Sequence, residues 1–199
     1  MDLSLIWVVV ILLTITSVSV MLLRDWRWLI SFLALQYAGV FILTLQHWPL
    51  GMAAVKIIAG WMSAAILGMT RSNIIDEQSD TKDILPQGRL FRLIAASIAG
   101  LIVAASTPLV HDMLADAGLA VSAGGLLLIG MGLLHLGVTD HILEVTIGLM
   151  TVLAGFEILY TAVESSILVA ALLAIINLGL ALAGSYLLIA SNAQEAEIT

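Results

Sequence analysis

Seven long apolar runs constrain the fold of this chain more than any other feature of its sequence. A helix needs about 20 apolar residues to cross the hydrocarbon core of a bilayer, and each run has that length. Only 11% of the residues are charged and 61% are hydrophobic, whereas soluble domains carry roughly 25% charged residues. The sequence therefore predicts an all-α polytopic membrane protein, a bundle of seven transmembrane helices. The runs cover residues 3–23, 27–46, 50–70, 89–109, 119–138, 142–163 and 166–190.

The connections between the runs are short, apart from one polar loop. The segments RDW, HWP and TDH join consecutive runs, so these neighbours are expected to be antiparallel. β-Barrel strands are excluded because the runs are too long and do not alternate between apolar and polar residues. We predict a single integral membrane domain. It comprises three helices in 1–71, a cytoplasmic loop over 72–88, four helices in 89–190 and a cytoplasmic tail over 191–199.

Basic residues near the ends of the runs predict the orientation. Six of the seven flank two connections that share one side of a seven-span bundle: Arg24, Arg27, Arg71, Lys82, Arg89 and Arg92. The positive-inside rule makes that side cytoplasmic. We expect the amino terminus outside and the tail inside, in a prokaryotic inner membrane or an internal energy-transducing membrane. The first run follows no basic segment and has no small-residue cleavage site, so we interpret it as a retained helix.

The seventh basic residue, Lys56, lies inside the third apolar run. A charge at the bilayer centre costs at least about 2.5 kcal/mol. Glu157, in the sixth run, has a matching depth, because each lies about 10 Å from the same side at a rise of about 1.5 Å per residue. We predict that the two face the bundle interior and pair directly or through water. In the alternative, Lys56 extends to the interface and Glu157 meets only hydroxyls such as Thr161.

Other polar residues lie in or beside the apolar runs. Asn177 can hydrogen-bond across helices, either as a packing residue or as a link in a water chain. Glu144 and Glu164, near the two ends of the sixth run, are expected at the interfaces rather than buried. His135 is expected to be a capping or surface group rather than a proton relay. The candidate residues for a proton or ion path are Glu157, Lys56, Asn177, Glu144, Glu164 and His135.

Several classes of chemistry have no support in the sequence. The chain has no cysteine, which excludes disulfides and thiolate metal sites, and its histidines lack metal-ligand spacing. No nucleophile motif, phosphate-binding loop or haem-ligating pair occurs. The basic residues are too few and too scattered for nucleic acid. We therefore expect no catalytic residue, cofactor or metal, and no nucleic-acid partner.

Small residues recur every four positions on two of the runs. Gly60, Ala64 and Gly68 do so on the third run, and Gly179 and Ala183 on the seventh. Such stripes allow the backbones of two helices to approach closely. We predict that these faces meet protein, either within this chain or in a partner.

Two segments carry a resemblance to a known family. WRWLISFLALQY on the second run and VKIIAGWMSAAILGMTRSN on the third precede a polar loop and a long apolar half. This order resembles component E of membrane hydrogenases of the formate-hydrogenlyase type. The part from GGLLLIGMGLLHLGVTDHILEVTIGLMTVLAGFEI onward is similar to subunit K of respiratory complex I and to component C of Mrp-type sodium/proton antiporters. The resemblance implies a small membrane subunit, wedged between larger antiporter-like subunits, that contributes carboxylates to a lateral polar axis for protons.

The sequence departs from this family at the central carboxylates of the last two helices. Met150 stands where the first carboxylate is expected, and Ile175 or Asn177 where the second is expected. Glu157 lies two turns beyond Met150 and offers a replacement at another depth. Lys56 matches a lysine in the third helix of component E.

Three functions remain open from the sequence. The first is a non-catalytic subunit of a proton- or sodium-translocating assembly that is complex-I-like, hydrogenase-like or Mrp-like; such a chain is not an enzyme by itself, although the whole complex can be an oxidoreductase. The second is a purely structural or assembly subunit without ion passage, which the departures at Met150 and Asn177 favour. The third is a small stand-alone transporter, against which stands the lack of a repeated half with matching Gly/Pro breaks.

Overall fold

The structure, a computed structural model, describes residues 3–74, 88–114 and 117–198, and these residues form seven α-helices. Each helix contains a stretch that is long and apolar enough to cross a membrane. The predicted all-α bundle of seven transmembrane helices is confirmed, and the chain is an integral membrane protein. The helices are α1 (Leu3–Leu22), α2 (Trp26–Thr44), α3 (Leu50–Asn73), α4 (Arg89–Met113), α5 (Leu119–Gly137), α6 (Ile142–Thr161) and α7 (Ile167–Ile198).

Two helices continue beyond their predicted limits. α3 includes Ser72 and Asn73, which were predicted to start the polar loop; residues 75–87 of that loop, with Lys82, lie outside the described residues. α7 continues to Ile198 and so takes up most of the predicted tail. Alanine, glutamine and glutamate are strong helix formers, and each residue added to an existing helix gains a backbone hydrogen bond.

Six of the helices form a closed ring. Neighbours in contact around it are α1, α2, α3, α7, α6 and α5, and α5 returns to α1. α2 also contacts α6 across the centre, while α4 lies outside the ring against α5 and α1. The contact between α2 and α6 divides the interior into two compartments. The α3/α7 compartment is bounded by α2, α3, α7 and α6, and the α1/α5 compartment by α1, α2, α6 and α5.

The two ends of the bundle differ in charge. Short connections make α1 and α2, α2 and α3, α5 and α6, and α6 and α7 antiparallel. Arg92, in the first turn of α4, donates from an Nη atom to the backbone carbonyl of Met21 at the end of α1, at 2.9 Å. The beginnings of α2, α4 and α6 therefore lie beside the ends of α1, α3, α5 and α7. We call this the basic end, because Arg24, Arg71 and Arg92 lie there.

Glycines let α5 and α6 pack backbone against backbone. A methyl group added to Gly155 would lie 2.6 Å from the carbonyl oxygen of Gly125, and one added to Gly132 would lie 2.9 Å from the amide nitrogen of Val152. Only glycine fits where the backbones of two helices approach this closely. In the membrane-spanning segment of α6, 61% of the residues are buried within the protein, compared with 17% in that of α4. α6 is therefore the central helix and α4 the peripheral one.

Candidate functional site

Four fully buried side chains meet in the α3/α7 compartment, one from each of its helices. They are Tyr37 of α2, Lys56 of α3, Glu157 of α6 and Asn177 of α7, each with 0% of its surface exposed. Polar side chains are rare in membrane helices, and those that face the bundle interior usually pair with one another. We call these four residues the central tetrad.

Lys56 and Glu157 form a salt bridge inside the tetrad. Lys56 Nζ lies 2.8 Å from Glu157 Oε1, close enough for a charge-assisted hydrogen bond. The predicted pairing is confirmed, and the alternative in which Lys56 extends to the interface is wrong. Removing two charges from water costs several kcal/mol per ion, so such a pair needs close contact and further hydrogen bonds to be tolerated.

Asn177 and Tyr37 supply those further hydrogen bonds. Asn177 donates from Nδ2 to Glu157 Oε1 at 3.3 Å, and its Oδ1 accepts from the Tyr37 hydroxyl at 2.6 Å. Because the hydroxyl donates to the amide oxygen, the amide presents its NH₂ group to the carboxylate. The predicted interhelical hydrogen bonding of Asn177 is confirmed, while a role in a water chain stays a prediction.

Gly60 makes room for the ring of Tyr37. Any side chain at Gly60 would overlap the aromatic carbons of Tyr37, so this position of the α3 stripe meets protein as predicted. The α7 stripe does not meet protein within the described chain. Gly179 and Ala183 are exposed, and a methyl group on Gly179 would touch nothing within 4 Å.

Trp48 covers the side of the tetrad that lies away from the basic end. This residue belongs to the connection between α2 and α3 and is 3% exposed. Its ring centroid lies 5.7 Å from Lys56 Nζ, and its indole nitrogen donates to the backbone carbonyl of Glu164 at 2.9 Å. The ring adds a cation–π contact to the buried ammonium. The hydrogen bond ties this connection to the one between α6 and α7.

One oxygen of Glu157 is left over. Oε2 is buried and has no hydrogen-bond partner among the residues that the structure describes, whereas Oε1 accepts from both Lys56 and Asn177. A neutral carboxylic acid can hold its proton on one oxygen while the other still accepts hydrogen bonds. The geometry thus lets Glu157 take up or release a proton at Oε2 without losing both of its donors.

A second group of polar side chains lies at the basic end. Glu144, in the first turn of α6, accepts from the Thr139 hydroxyl at 2.5 Å. His135, in the last turn of α5, lies close enough to Glu144 and to Arg92 for both charges to act on it. We call Arg92, His135, Thr139 and Glu144 the basic-end cluster.

Two expectations for this cluster are wrong. Glu144 lies near a helix end as expected, but it is 7% exposed, because the α5–α6 connection places Thr139 on its carboxylate. His135 is neither a cap nor a surface group: it is 3% exposed, and its ring packs beside Gly148, where α6 has no side chain. Neither ring nitrogen makes a well-formed hydrogen bond within the described residues, although the backbone of Glu144 is near.

The remaining predicted residues differ in their location and burial. Glu164 is exposed in the connection after α6, as expected for an interfacial carboxylate, and one of its oxygens accepts from the amide of Ser165 at 3.2 Å. Ile175 is 65% exposed on the outer face of α7, so Asn177 is the residue that faces the interior. Met150 is fully buried on α6 between Glu144 and Glu157, which are about 20 Å apart along the helix at 1.5 Å per residue.

Comparison of the chain with family models, curated proteins and solved structures finds no match. Membership of the hydrogenase component E family therefore stays a prediction. What this site does is inferred from its own geometry.

Tyr37 and Trp48 are members of the site that are missing from the predicted set. One signal for Tyr37 is available in the sequence, because a hydroxyl inside a membrane helix needs a partner. A second is Gly60, which leaves space on α3 for a large ring. Which residue fills that space depends on helix rotation, and the sequence pattern does not specify it.

Proposed function

We propose that this chain is a small, non-catalytic membrane subunit of a proton- or sodium-translocating assembly of the complex-I-like, hydrogenase-like or Mrp-like kind. In this proposal the central tetrad is one station of a lateral polar path through the membrane. The observation that carries the proposal is the fully buried Lys56–Glu157 pair. Ionisable residues inside membrane helices are costly, and where they occur they commonly mark proton and ion pathways.

In the proposed mechanism, Lys56 and an arriving proton compete for the carboxylate of Glu157. When Glu157 is ionised, Lys56 and Asn177 both donate to Oε1. A proton arriving at Oε2 removes the negative charge that holds the ammonium, so Lys56 is then a buried cation without a counter-ion. Proton uptake at Glu157 is thereby coupled to a change in the position or charge of Lys56, which can pass the effect to a neighbouring station.

The proposed partners are larger antiporter-like subunits and the surrounding lipid. Many large apolar side chains on α4 and α7 are exposed in the isolated chain, among them Leu101, Leu109 and Leu168. Such faces suit either acyl chains or the helices of a membrane partner. In the proposed orientation the basic end faces the cytoplasm. Copurification under mild detergent, with mass spectrometry of the bound proteins, identifies the partners.

The test compares two carboxylates of the same chain in the assembled complex. Glu157→Gln removes the charge of the buried pair, and the control Asp112→Asn removes an exposed carboxylate at the end of the peripheral helix α4. We expect Glu157→Gln to slow ion translocation severalfold with the same set of copurifying partners, and Asp112→Asn to change neither. Full translocation by the Glu157→Gln complex would contradict the proposal.

A specific observation favours a second candidate, a purely structural subunit. Ile147, Met150 and Ala154 are fully buried apolar residues on α6 between Glu144 and Glu157. If no ion passes, Glu157→Gln lowers the yield of assembled complex but leaves the translocation per assembled complex unchanged. Measuring flux per assembled complex therefore separates the two candidates.

A further inference from the structure

Gln36 places a side-chain amide in the interior of the bundle. It lies in the middle of α2, is 0% exposed, and neither its Oε1 nor its Nε2 forms a hydrogen bond within the described part of the chain. The hydroxyl of Ser17 on α1, which is 5% exposed, likewise forms no hydrogen bond within the described residues. Leaving such groups unsatisfied costs about 1–3 kcal/mol each. In native proteins, buried polar groups without protein partners are usually satisfied by ordered water.

The packing of α1 on α2 places these two residues at one depth. A methyl group on Gly39 of α2 would lie 2.7 Å from Cδ2 of Leu13 on α1, which aligns the two antiparallel helices. Gln36 is three residues from Gly39 and Ser17 is four residues from Leu13, both toward the basic end. At 1.5 Å per residue they differ in depth by about 1.5 Å. Each shares a helix face with its reference residue.

The packing of α5 and α6 places two methionines at the same level. A methyl group on Gly124 of α5 would lie 2.5 Å from Leu43 of α2. Met131 is seven residues beyond Gly124 and Gln36 is seven residues before Leu43, so both lie two turns nearer the basic end. The adjacent residue Gly132 packs between Gly148 and Val152 of α6, which brings Met150 to this level.

This level lies between the central tetrad and the basic-end cluster. Met150 is about 10 Å along α6 from Glu157 and about 9 Å from Glu144, at 1.5 Å per residue. Gln36 directly precedes Tyr37 of the tetrad. One helical turn further toward the basic end are His135, four residues after Met131, and Met21, whose carbonyl binds Arg92.

We propose that Gln36 and Ser17 bind ordered water in the α1/α5 compartment, at the level of Met131 and Met150. The amide offers two N–H donors and one carbonyl acceptor, and the hydroxyl offers one donor and two lone pairs. Together they can hold the two or three hydrogen bonds that a buried water needs. The site places water at the depth of Met150, where the family resemblance leads us to expect a carboxylate. Its part in ion passage rests on the proposed function, whereas the binding of water does not.

Hydroxyl-radical footprinting of the intact complex in membranes tests the water site directly. A short X-ray pulse splits bound water, and a methionine beside that water gains one oxygen atom, which mass spectrometry detects. We expect Met131 to be oxidised although it is only 4% exposed. Gln36→Leu, which keeps the side-chain volume, is expected to reduce this oxidation severalfold. Ser17→Ala, which removes a single oxygen atom, is expected to reduce it less.

Ser122→Ala is the matched control. Ser122 is also fully buried with a hydroxyl that has no partner in the described residues, but it lies about 13 Å along α5 from Met131, at 1.5 Å per residue. Its removal is expected to leave the oxidation of Met131 unchanged. Two results would overturn the site: no oxidation of Met131 in the wild-type complex, or equal oxidation of Met131 in Gln36→Leu and wild type.

Translocation assays on the same complexes separate this inference from the proposed function. If water at Gln36 takes part in ion passage, Gln36→Leu slows translocation and Ser122→Ala does not. Slow translocation in Glu157→Gln together with an unoxidised Met131 rejects the water site and retains the proposed function. An oxidised Met131 with full translocation in Glu157→Gln retains the water site and rejects the function.

Discussion

The central tetrad and the basic-end cluster are both buried, but they satisfy their polar atoms to different degrees. In the tetrad, Lys56, Asn177 and Tyr37 each donate a hydrogen bond, and one atom, Oε2 of Glu157, forms none within the described residues. In the basic-end cluster, both ring nitrogens of His135 and Nε of Arg92 lack a well-formed hydrogen bond within the described residues. The tetrad is therefore a nearly closed network, and the cluster keeps unused hydrogen-bonding capacity.

The difference follows from where the side chains originate. Tetrad residues lie inside four helices, where the contact of Gly60 with Tyr37 fixes α2 against α3. Residues of the cluster lie in the terminal turns of their helices or in the α5–α6 connection. Helix ends leave backbone groups without intrahelical partners, and Arg92 donates to one of them, the carbonyl of Met21, rather than to a side chain of the cluster.

The largest expected effect comes from breaking the tetrad ion pair. Lys56→Met leaves Glu157 buried without a counter-ion and is expected to lower the free energy of unfolding by about 3–5 kcal/mol. The double variant Lys56→Met/Glu157→Leu is expected to recover most of this loss, because no charge is then left buried. Unfolding in mixed detergent micelles, followed by helicity, measures both. In the cluster, Glu144→Gln is expected to cost at most about 1.5 kcal/mol, and an equal loss there would remove the contrast between the two regions.

A smaller effect is expected where the tetrad depends on helix packing. Gly60→Ala overlaps the Tyr37 ring and is expected to cost about 1–3 kcal/mol, as overpacking does elsewhere. Gly179→Ala, on the exposed face of α7, is the control and is expected to be neutral or stabilising by up to about 1 kcal/mol. The same unfolding assay applies. If the two alanine variants behaved alike, the close approach of α2 and α3 would not be what fixes Tyr37.

Removing the hydrogen bond between Tyr37 and Asn177 should have a moderate effect on the free energy of unfolding. Tyr37→Phe keeps the ring against Gly60 but deletes the donor to Asn177. It is expected to cost about 0.6–1.7 kcal/mol, between the average and the maximum for hydrogen bonds between membrane helices. Tyr186→Phe, with Tyr186 71% exposed, should change nothing. A double-mutant cycle with Asn177→Leu measures the coupling; a coupling energy of zero would separate Tyr37 from the network.

The smallest effect on stability is expected in the basic-end cluster. His135→Leu replaces a ring without well-formed hydrogen bonds by an apolar side chain of similar size, so the unfolding free energy should stay within about 1 kcal/mol of wild type or rise. A loss as large as that of Lys56→Met would mean that His135 is bonded as firmly as the tetrad. Translocation should nevertheless fall if the cluster belongs to the proposed path.

Depth along each helix could be predicted from the sequence, and rotation about each helix could not. Lys56 and Glu157 were placed at one level because a helix rises by a fixed distance per residue. The burial of His135 could not be predicted in this way, because it depends on Gly148 of a neighbouring helix leaving room for the ring. Tyr37 joins the tetrad for a similar reason, since its partner Asn177 lies 140 residues further along the chain.

By itself the sequence determined that the chain crosses the membrane, how many long apolar helices it has, and which two opposite charges share a depth. These properties depend on local backbone hydrogen bonding and on the cost of polar groups in lipid. Only the tertiary structure decided that the two charges touch, that Asn177 and not Ile175 faces inward, and that Glu144 and His135 are buried. Those outcomes depend on the order of the helices around the ring and on close packing at a few glycines, which join residues far apart in the chain.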